Sequence, residues 1–422
     1  MSNEILILHG DIVHAPSFAN LRCIEGGYLV AVDGKVEGVY ETLPERFEDL
    51  YVTECGSKII TQSFCDMHLH APQYPLMGLG LDMQLLDWLN NYTYPEEARF
   101  ADLDYAKSVY EAFTRDLINS GTTRAAVYSS IHTEATLALA KCMEAKRVTG
   151  FVGKVNMDRN CPAELCENTE ESLRATEEFI ERAKNFKLVK PMITPRFAPA
   201  CTPELLNGLG RLAEKYDVPV QTHLSENIQE ILLVHELFPD SAGYWHVYER
   251  AGLMRPGSLM AHCIYSDDTE RRVMSDNGVW AVHCPCSNMD LCSGIMPLRR
   301  FIYDGVNVVL GSDISGGAAI FMPRIMEATV RISKMNWLAT AQTEPILSIA
   351  EAFYLATSAG AKRMGCGEGF APGDPLHCIV ADDARMCVAG EGRTLRERFE
   401  RMLHRMQPAD ITAVWSEGVR VK

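Results

Sequence analysis

Residues 59–74 read IITQSFCDMHLHAPQY. An apolar run, 59–67, leads into two histidines, His68 and His70, spaced i and i+2. On a strand, alternate side chains share a side, so the pair projects together from the strand's end. Taken alone, the spacing fits turn or surface histidines as well as a metal site. Its meaning depends on whether similar strands recur.

They do recur. Strand-like runs fall at 59–67, 122–130, 151–158, 190–197, 218–225, 258–265, 279–287 and 306–313, eight in all. Several are continuously apolar, as expected of strands covered on both faces. Helical patterns separate them. In 98–120, Ala106, Tyr110, Phe113 and Leu117 recur at four- and three-residue steps before Gly121. The segments 169–186, 206–216 and 267–278 carry similar patterns. Eight alternating units over ~250 residues predict an α/β fold of the (β/α)8 TIM-barrel type.

The chain ends differ. Short strand-like pieces with turns at Gly10-Asp11 and Asp33-Gly34 occupy residues 4–58, and similar pieces lie at 377–390 and 410–421. The expected organisation is a barrel over 63–368 beside a small β-sandwich domain built from 1–62 and 369–422.

A barrel's catalytic residues collect at the C-terminal ends of its strands. His68 and His70 end the first run, and His223 ends the fifth, with Glu226 three residues on. His262 lies in the sixth run and Asp313 closes the eighth. Buried charge is costly unless paired or metal-bound, so several such groups at one rim point to a shared cation. Imidazole and carboxylate suit Zn2+, Fe2+ or Mn2+. Six other histidines, His9, His14, His132, His235, His246 and His404, fall in helical or peripheral contexts.

Forty basic against 56 acidic residues give a formal charge of -16, which argues against a nucleic-acid surface. No apolar run reaches the ~18 residues of a bilayer span. Fourteen cysteines without a secretion signal suggest reduced thiols and a cytoplasmic setting.

HLH (68–70), HLSE (223–226), His262 and GSD (311–313) resemble the amidohydrolase superfamily over nearly the whole chain. The more specific stretches, LLDWLNNYTYPEEARF (85–100) and TPRF (194–197), are most similar to its guanine deaminase branch. This resemblance implies one divalent ion, Zn2+ foremost, on His68, His70, His223 and Asp313. It implies deamination of guanine to xanthine and ammonia by an activated water. Glu226 would shuttle protons, His262 would steady the attacking oxygen, and Asp313 would help deprotonate it. Gln73 and Arg196 would read the base, with Phe197, Leu85, Leu86 and Trp88 as walls. Relatives are commonly homodimers.

The chain departs from its relatives at 61–64, TQSF, where Pro-Gly is usual, at Cys286 in place of Asn, and at His377 in place of aspartate. Cys286 could be a reactive thiol or an inert buried one. The fourth run ends on Arg196-Phe197 rather than on a bridging lysine or carboxylate, which argues for a single ion. Two other readings remain open: a deaminase of another amino-heterocycle (cytosine, a triazine or a nucleoside), and a metal-free scaffold barrel.

Overall fold

The computed structural model describes residues 4–422. Its centre is a ring of parallel strands in two four-stranded arcs. The first arc contains Phe64–His70, Thr122–Tyr128, Thr149–Gly153 and Val189–Pro191; the second contains Gln221–Leu224, Leu259–His262, Trp280–His283 and Asn307–Leu310. Short continuations, Val155–Asn156 and Thr194–Pro195, pair beyond the third and fourth strands.

Backbone hydrogen bonds join the arcs at both seams. The Ile193 N–H donates to the Pro219 carbonyl and the Gln221 N–H to that of Ile193, each at 2.9 Å. At the other seam, the Asp313 N–H donates to the His68 carbonyl at 2.8 Å, and the His70 N–H to that of Ile314 at 3.0 Å. The eight-stranded α/β barrel expected from the apolar runs is therefore present, and its last seam lies within the proposed ligand set.

Every residue of the first two strands is buried, the polar Asp66 and Arg124 included. The helix Leu103–Asn119 shows how the outer layer forms. Asp102 caps it by accepting from the Asp104 and Tyr105 N–H groups, and Ala106, Tyr110, Phe113 and Leu117 form its buried face. Gly121, at φ +77°, turns the chain into the second strand.

One boundary differs from the expectation. Residues 59–67 are not a single strand. Thr53–Gln62 belongs to the sheet formed by the chain ends, where it pairs with Ile5–Ser17 and Cys378–Ala381, whereas Phe64 begins the barrel. Gln62 fixes the switch: its Oε1 accepts from the Ala15 N–H at 2.8 Å and its Nε2 donates to Ser358 Oγ at 2.7 Å. Burial carries no mark of this change, since residues 59–70 are buried throughout; the polar triplet Thr61-Gln62-Ser63 is what stands at the junction.

The outer sheet has seven strands, four from the N-terminal end and three from the C-terminal end, mostly antiparallel. It buries Leu8, Ile12, Leu29, Ile60, Val380 and Trp415 in one cluster. Several barrel strands are shorter than expected because the chain turns into left-handed backbone at their ends, at Ser225 (φ 49°), His262 (φ 72°) and Asp313 (φ 48°).

Gly311 allows the eighth strand its close approach to the first: a Cβ there would stand 2.7 Å from His68 Cβ and 3.0 Å from the His68 backbone N and O. Gly311→Ala is expected to destabilise the protein by about 1–3 kcal/mol through this overlap. Urea melts would measure it, and an unchanged midpoint would show that the seam has room to spare.

Candidate active site

The strand ends bring His68, His70, His223 and Asp313 together, with one donor atom from each lying within 4.8 Å of the others. His68 Nε2 and His70 Nε2 stand 3.2 and 3.4 Å from Asp313 Oδ1. The His223 Nδ1–H donates to the Arg196 carbonyl at 2.6 Å, so Nε2 carries that ring's lone pair. His68 Nε2 is buried and has no hydrogen-bond partner.

Burial holds the His68 imidazolium pKa down at about 4 and that of His223 well below its usual value. Burial pushes the Asp313 carboxyl the other way, but the neighbouring imidazoles, His68 foremost, override it and keep its pKa well below the carboxylate range. Neutral imidazoles around an ionised carboxylate are the form in which these groups ligate a divalent cation. The residues fit one.

His262 Nε2 lies 3.6 Å from Glu226 Oε2 and 3.7 Å from Asp313 Oδ2. Asn288 Oδ1 accepts from the His262 Nδ1–H at 2.8 Å, which fixes the ring's orientation. Glu226 is pushed up to about 7, chiefly by burial. Its Oε1 accepts from Ser293 Oγ at 3.2 Å. Its backbone N–H donates to Glu230 Oε2 at 2.9 Å, and Glu230 Oε1 in turn accepts from the Tyr244 hydroxyl at 2.6 Å. Tyr248 extends this support, donating to the His223 carbonyl and accepting from the Ala198 N–H, both at 2.9 Å.

Above these groups lies a pocket of about 380 Å³ including its open mouth, within the usual size range of small-ligand sites. Gln73, Arg196, Phe197, Leu85 and Trp88 line it as expected, together with Leu89 and Leu291. Leu86 is not part of the lining. Leu85, Trp88 and Leu89 follow i, i+3, i+4 spacing and share a helical face, whereas Leu86 is rotated off it and packs into the surrounding apolar cluster.

Gln73 and Arg196 are not free-standing. Both bond to Glu97, which sequence reading did not single out. Ser293, Asn288, Glu230 and Tyr244 also escaped notice, as did Asp66, whose Oδ1 accepts from the Ser312 N–H at 2.9 Å and ties the first strand to the eighth. His283, buried on the seventh strand, lies outside the pocket lining.

His377 is remote from the site, contacting Thr123 Oγ1 at 2.9 Å and Glu417 Oε1 at 3.1 Å where the outer sheet meets the barrel. Cys286 is half-buried, and burial pushes its thiol pKa up to about 12.

The amidohydrolase family model matches residues 59–384. A guanine deaminase from Dictyostelium discoideum is 33% identical, spanning 100% of this chain and 99% of that protein. A guanine deaminase from Rattus norvegicus is 39% identical over 85% of this chain and 82% of its own length. Among solved structures, guanine deaminase from C. acetobutylicum with guanine bound in its active site superposes with a TM-score of 0.96 at 39% identity, covering 99% of this chain and 100% of that one.

A cation held by these four groups would add to the stability of the folded protein. Chelator should lower the melting temperature and added Zn2+ should restore it, by about 2.7 kcal/mol at 100-fold saturation. In His70→Ala the response should largely vanish. A wild-type melting temperature indifferent to both chelator and Zn2+ would contradict metal binding at the four groups.

Proposed function

The chain belongs to the amidohydrolase family and, within it, to the guanine deaminases; from that membership we propose that it hydrolyses guanine to xanthine and ammonia with one divalent cation, Zn2+ foremost, on His68, His70, His223 and Asp313. The observation that carries the reading is that one pocket is lined by two sets of groups of different chemistry: Gln73 and Arg196, and His70, His223 and Asp313 of the ligand set with Glu226 and His262.

The cation's contribution is Lewis acidity, which lowers a water's pKa from ~15.7 to about 7. The chain's own residues do the rest. Asp313 accepts a proton from the attacking water. His262, held by Asn288 between the two carboxylates, hydrogen-bonds the attacking oxygen and stabilises its charge. Glu226 delivers a proton to the ring nitrogen beside C2 as the C–O bond forms. It then takes the proton of the new C2 hydroxyl and passes it to the amine, which leaves as ammonia while C2 becomes a carbonyl, and the proton held by Asp313 returns to Glu226 to restore the starting state. A carboxyl with a pKa of about 7 can both give and take a proton near neutrality.

The guanidinium of Arg196 and the amide of Gln73 are suited to the carbonyl edge of guanine, and an amino edge would leave Arg196's donors unpaired. Phe197, Leu85, Trp88, Leu89 and Leu291 supply an apolar slot for the flat base. The same reading divides the chain into a barrel, 63–368, and an outer β domain of 1–62 and 369–422, working as a cytoplasmic homodimer.

Ammonia release from a purine and pyrimidine panel, run with metal-loaded protein, tests the proposal. Guanine should far outrun adenine and cytosine. Glu226→Gln should lower kcat by about 10²–10⁴-fold while keeping its metal. Arg196→Ala should cost about 100-fold or more in kcat/KM for guanine. Guanine turning over no faster than cytosine, or an Arg196→Ala variant within a few-fold of wild type, would overturn the assignment.

A further inference from the structure

Glu97 lies in the short helix Tyr94–Ala98 and is 2% exposed. Its two oxygens serve different partners. Oε1 accepts from Gln73 Nε2 at 2.9 Å and Oε2 from Arg196 Nη1 at 2.5 Å. Gln73 and Arg196 line the pocket, whereas Glu97 stands behind them. Gln73 is tied at its other end as well: its Oε1 accepts from the Ser315 N–H at 3.2 Å, and the Ser315 hydroxyl donates to its carbonyl. The amide therefore has one orientation, with a single Nε2 hydrogen left for a ligand.

The charge arrangement is equally closed. Glu97 is the carboxylate partner of Arg196, which is 3% exposed, and no other carboxylate among the described residues lies within 4.0 Å of it. Burial works against the guanidinium's charge, but Glu97 outweighs it and holds the group above its ordinary range. The phenols of Tyr94 and Tyr110 also stand near Glu97, and that of Tyr128 near Arg196; burial keeps all three protonated, with Tyr94 at about 12. The neighbouring acid, Glu96, turns away to Arg99 and Tyr105. The pocket's other titratable lining residues are His70, His223, His262, Glu226 and Asp313.

We propose that Glu97 is the positioning residue of the base-reading end and sets its net charge to zero, so that the pocket selects an uncharged purine and discriminates against an anionic one. The inference rests on the guanine reading, and it bears on turnover. Guanine is uncharged around neutrality, whereas xanthine is a weak acid that loses a ring proton there. An unopposed Arg196 would hold that anion. Paired with Glu97, it still offers N–H donors to the carbonyl edge but little net attraction for the ionised product.

Inhibition by xanthine, followed as pH rises through xanthine's own ionisation with the KM for guanine measured in parallel, tests the proposal. In the wild-type protein xanthine should inhibit more weakly as it ionises. Glu97→Gln should reverse that trend, with alkaline xanthine binding strengthened by about tenfold for one uncancelled charge a few ångströms away. Its loss on guanine should fall mainly on KM. Glu97→Asp should keep the wild-type pH trend while raising KM, because the charge remains but its reach shortens. Xanthine binding the wild type more tightly as it ionises would overturn the proposal even if Glu97→Gln cannot be purified. So would the same pH trend in wild type and Glu97→Gln. Both of these results leave guanine turnover intact, whereas a protein that releases no ammonia from guanine and ignores xanthine would overturn the underlying guanine reading as well.

Discussion

The bond from the Asp313 N–H to the His68 carbonyl does two jobs at once. It belongs to the seam that closes the barrel, and it sets Asp313 Oδ1 3.2 Å from His68 Nε2. A buried carboxylate without compensation would be neutralised or excluded. Here the imidazoles offset its burial, and burial keeps His68 and His223 neutral. Each group's protonation state depends on the others' positions, and those positions depend on strands meeting in register. Gly311 and Asp66 serve that register directly, one by lacking a side chain and the other by bonding the Ser312 N–H.

The pocket then separates two electrostatic tasks. At the reaction end the imidazoles hold the Asp313 carboxyl well below the usual carboxylate range, and burial pushes Glu226 up to about 7. At the reading end, Glu97 and Arg196 compensate each other and Gln73 is fixed between Glu97 and Ser315. Hydrogen-bond direction is specified there without a net field, which suits recognition of a neutral heterocycle. Preorganisation of this sort lets donors act without reorganising when a ligand arrives.

What was legible in the sequence follows from range. His68 and His70 share a face because strands alternate, and Leu85 and Trp88 share one because helices turn every 3.6 residues; both are local rules. His223, His262 and Asp313 could be grouped because each ends an apolar run, and parallel barrels place such ends together. Leu86 was misjudged for want of attention to the same helical period. Glu97, Ser293 and Asn288 were not legible, because their partners lie 24 and 99, 67, and 26 residues away, beyond the reach of any helix or strand period. The switch at Ser63 is hard to read for a different reason: both sheets bury the segment, and the polar Thr61-Gln62-Ser63 is its one local sign.

The left-handed residues Ser225, His262 and Asp313 connect the fold to the chemistry. A non-glycine residue in that region carries a cost of order 1–3 kcal/mol, and such positions persist only where surrounding contacts determine them. Those contacts are visible. Glu230 accepts from the Glu226 and Asn227 N–H groups just after Ser225, Asn288 holds the His262 ring, and the Asp313 N–H is bound to the first strand. Regular strand geometry would carry each side chain straight on along the barrel axis. Turning the backbone at the last strand residue, or just past it, instead re-aims the side chains across the mouth, where groups from the fifth, sixth and eighth strands meet those of the first. Glu230, Tyr244 and Asn288 touch no substrate in this arrangement, yet the strained backbone at the rim would relax without them.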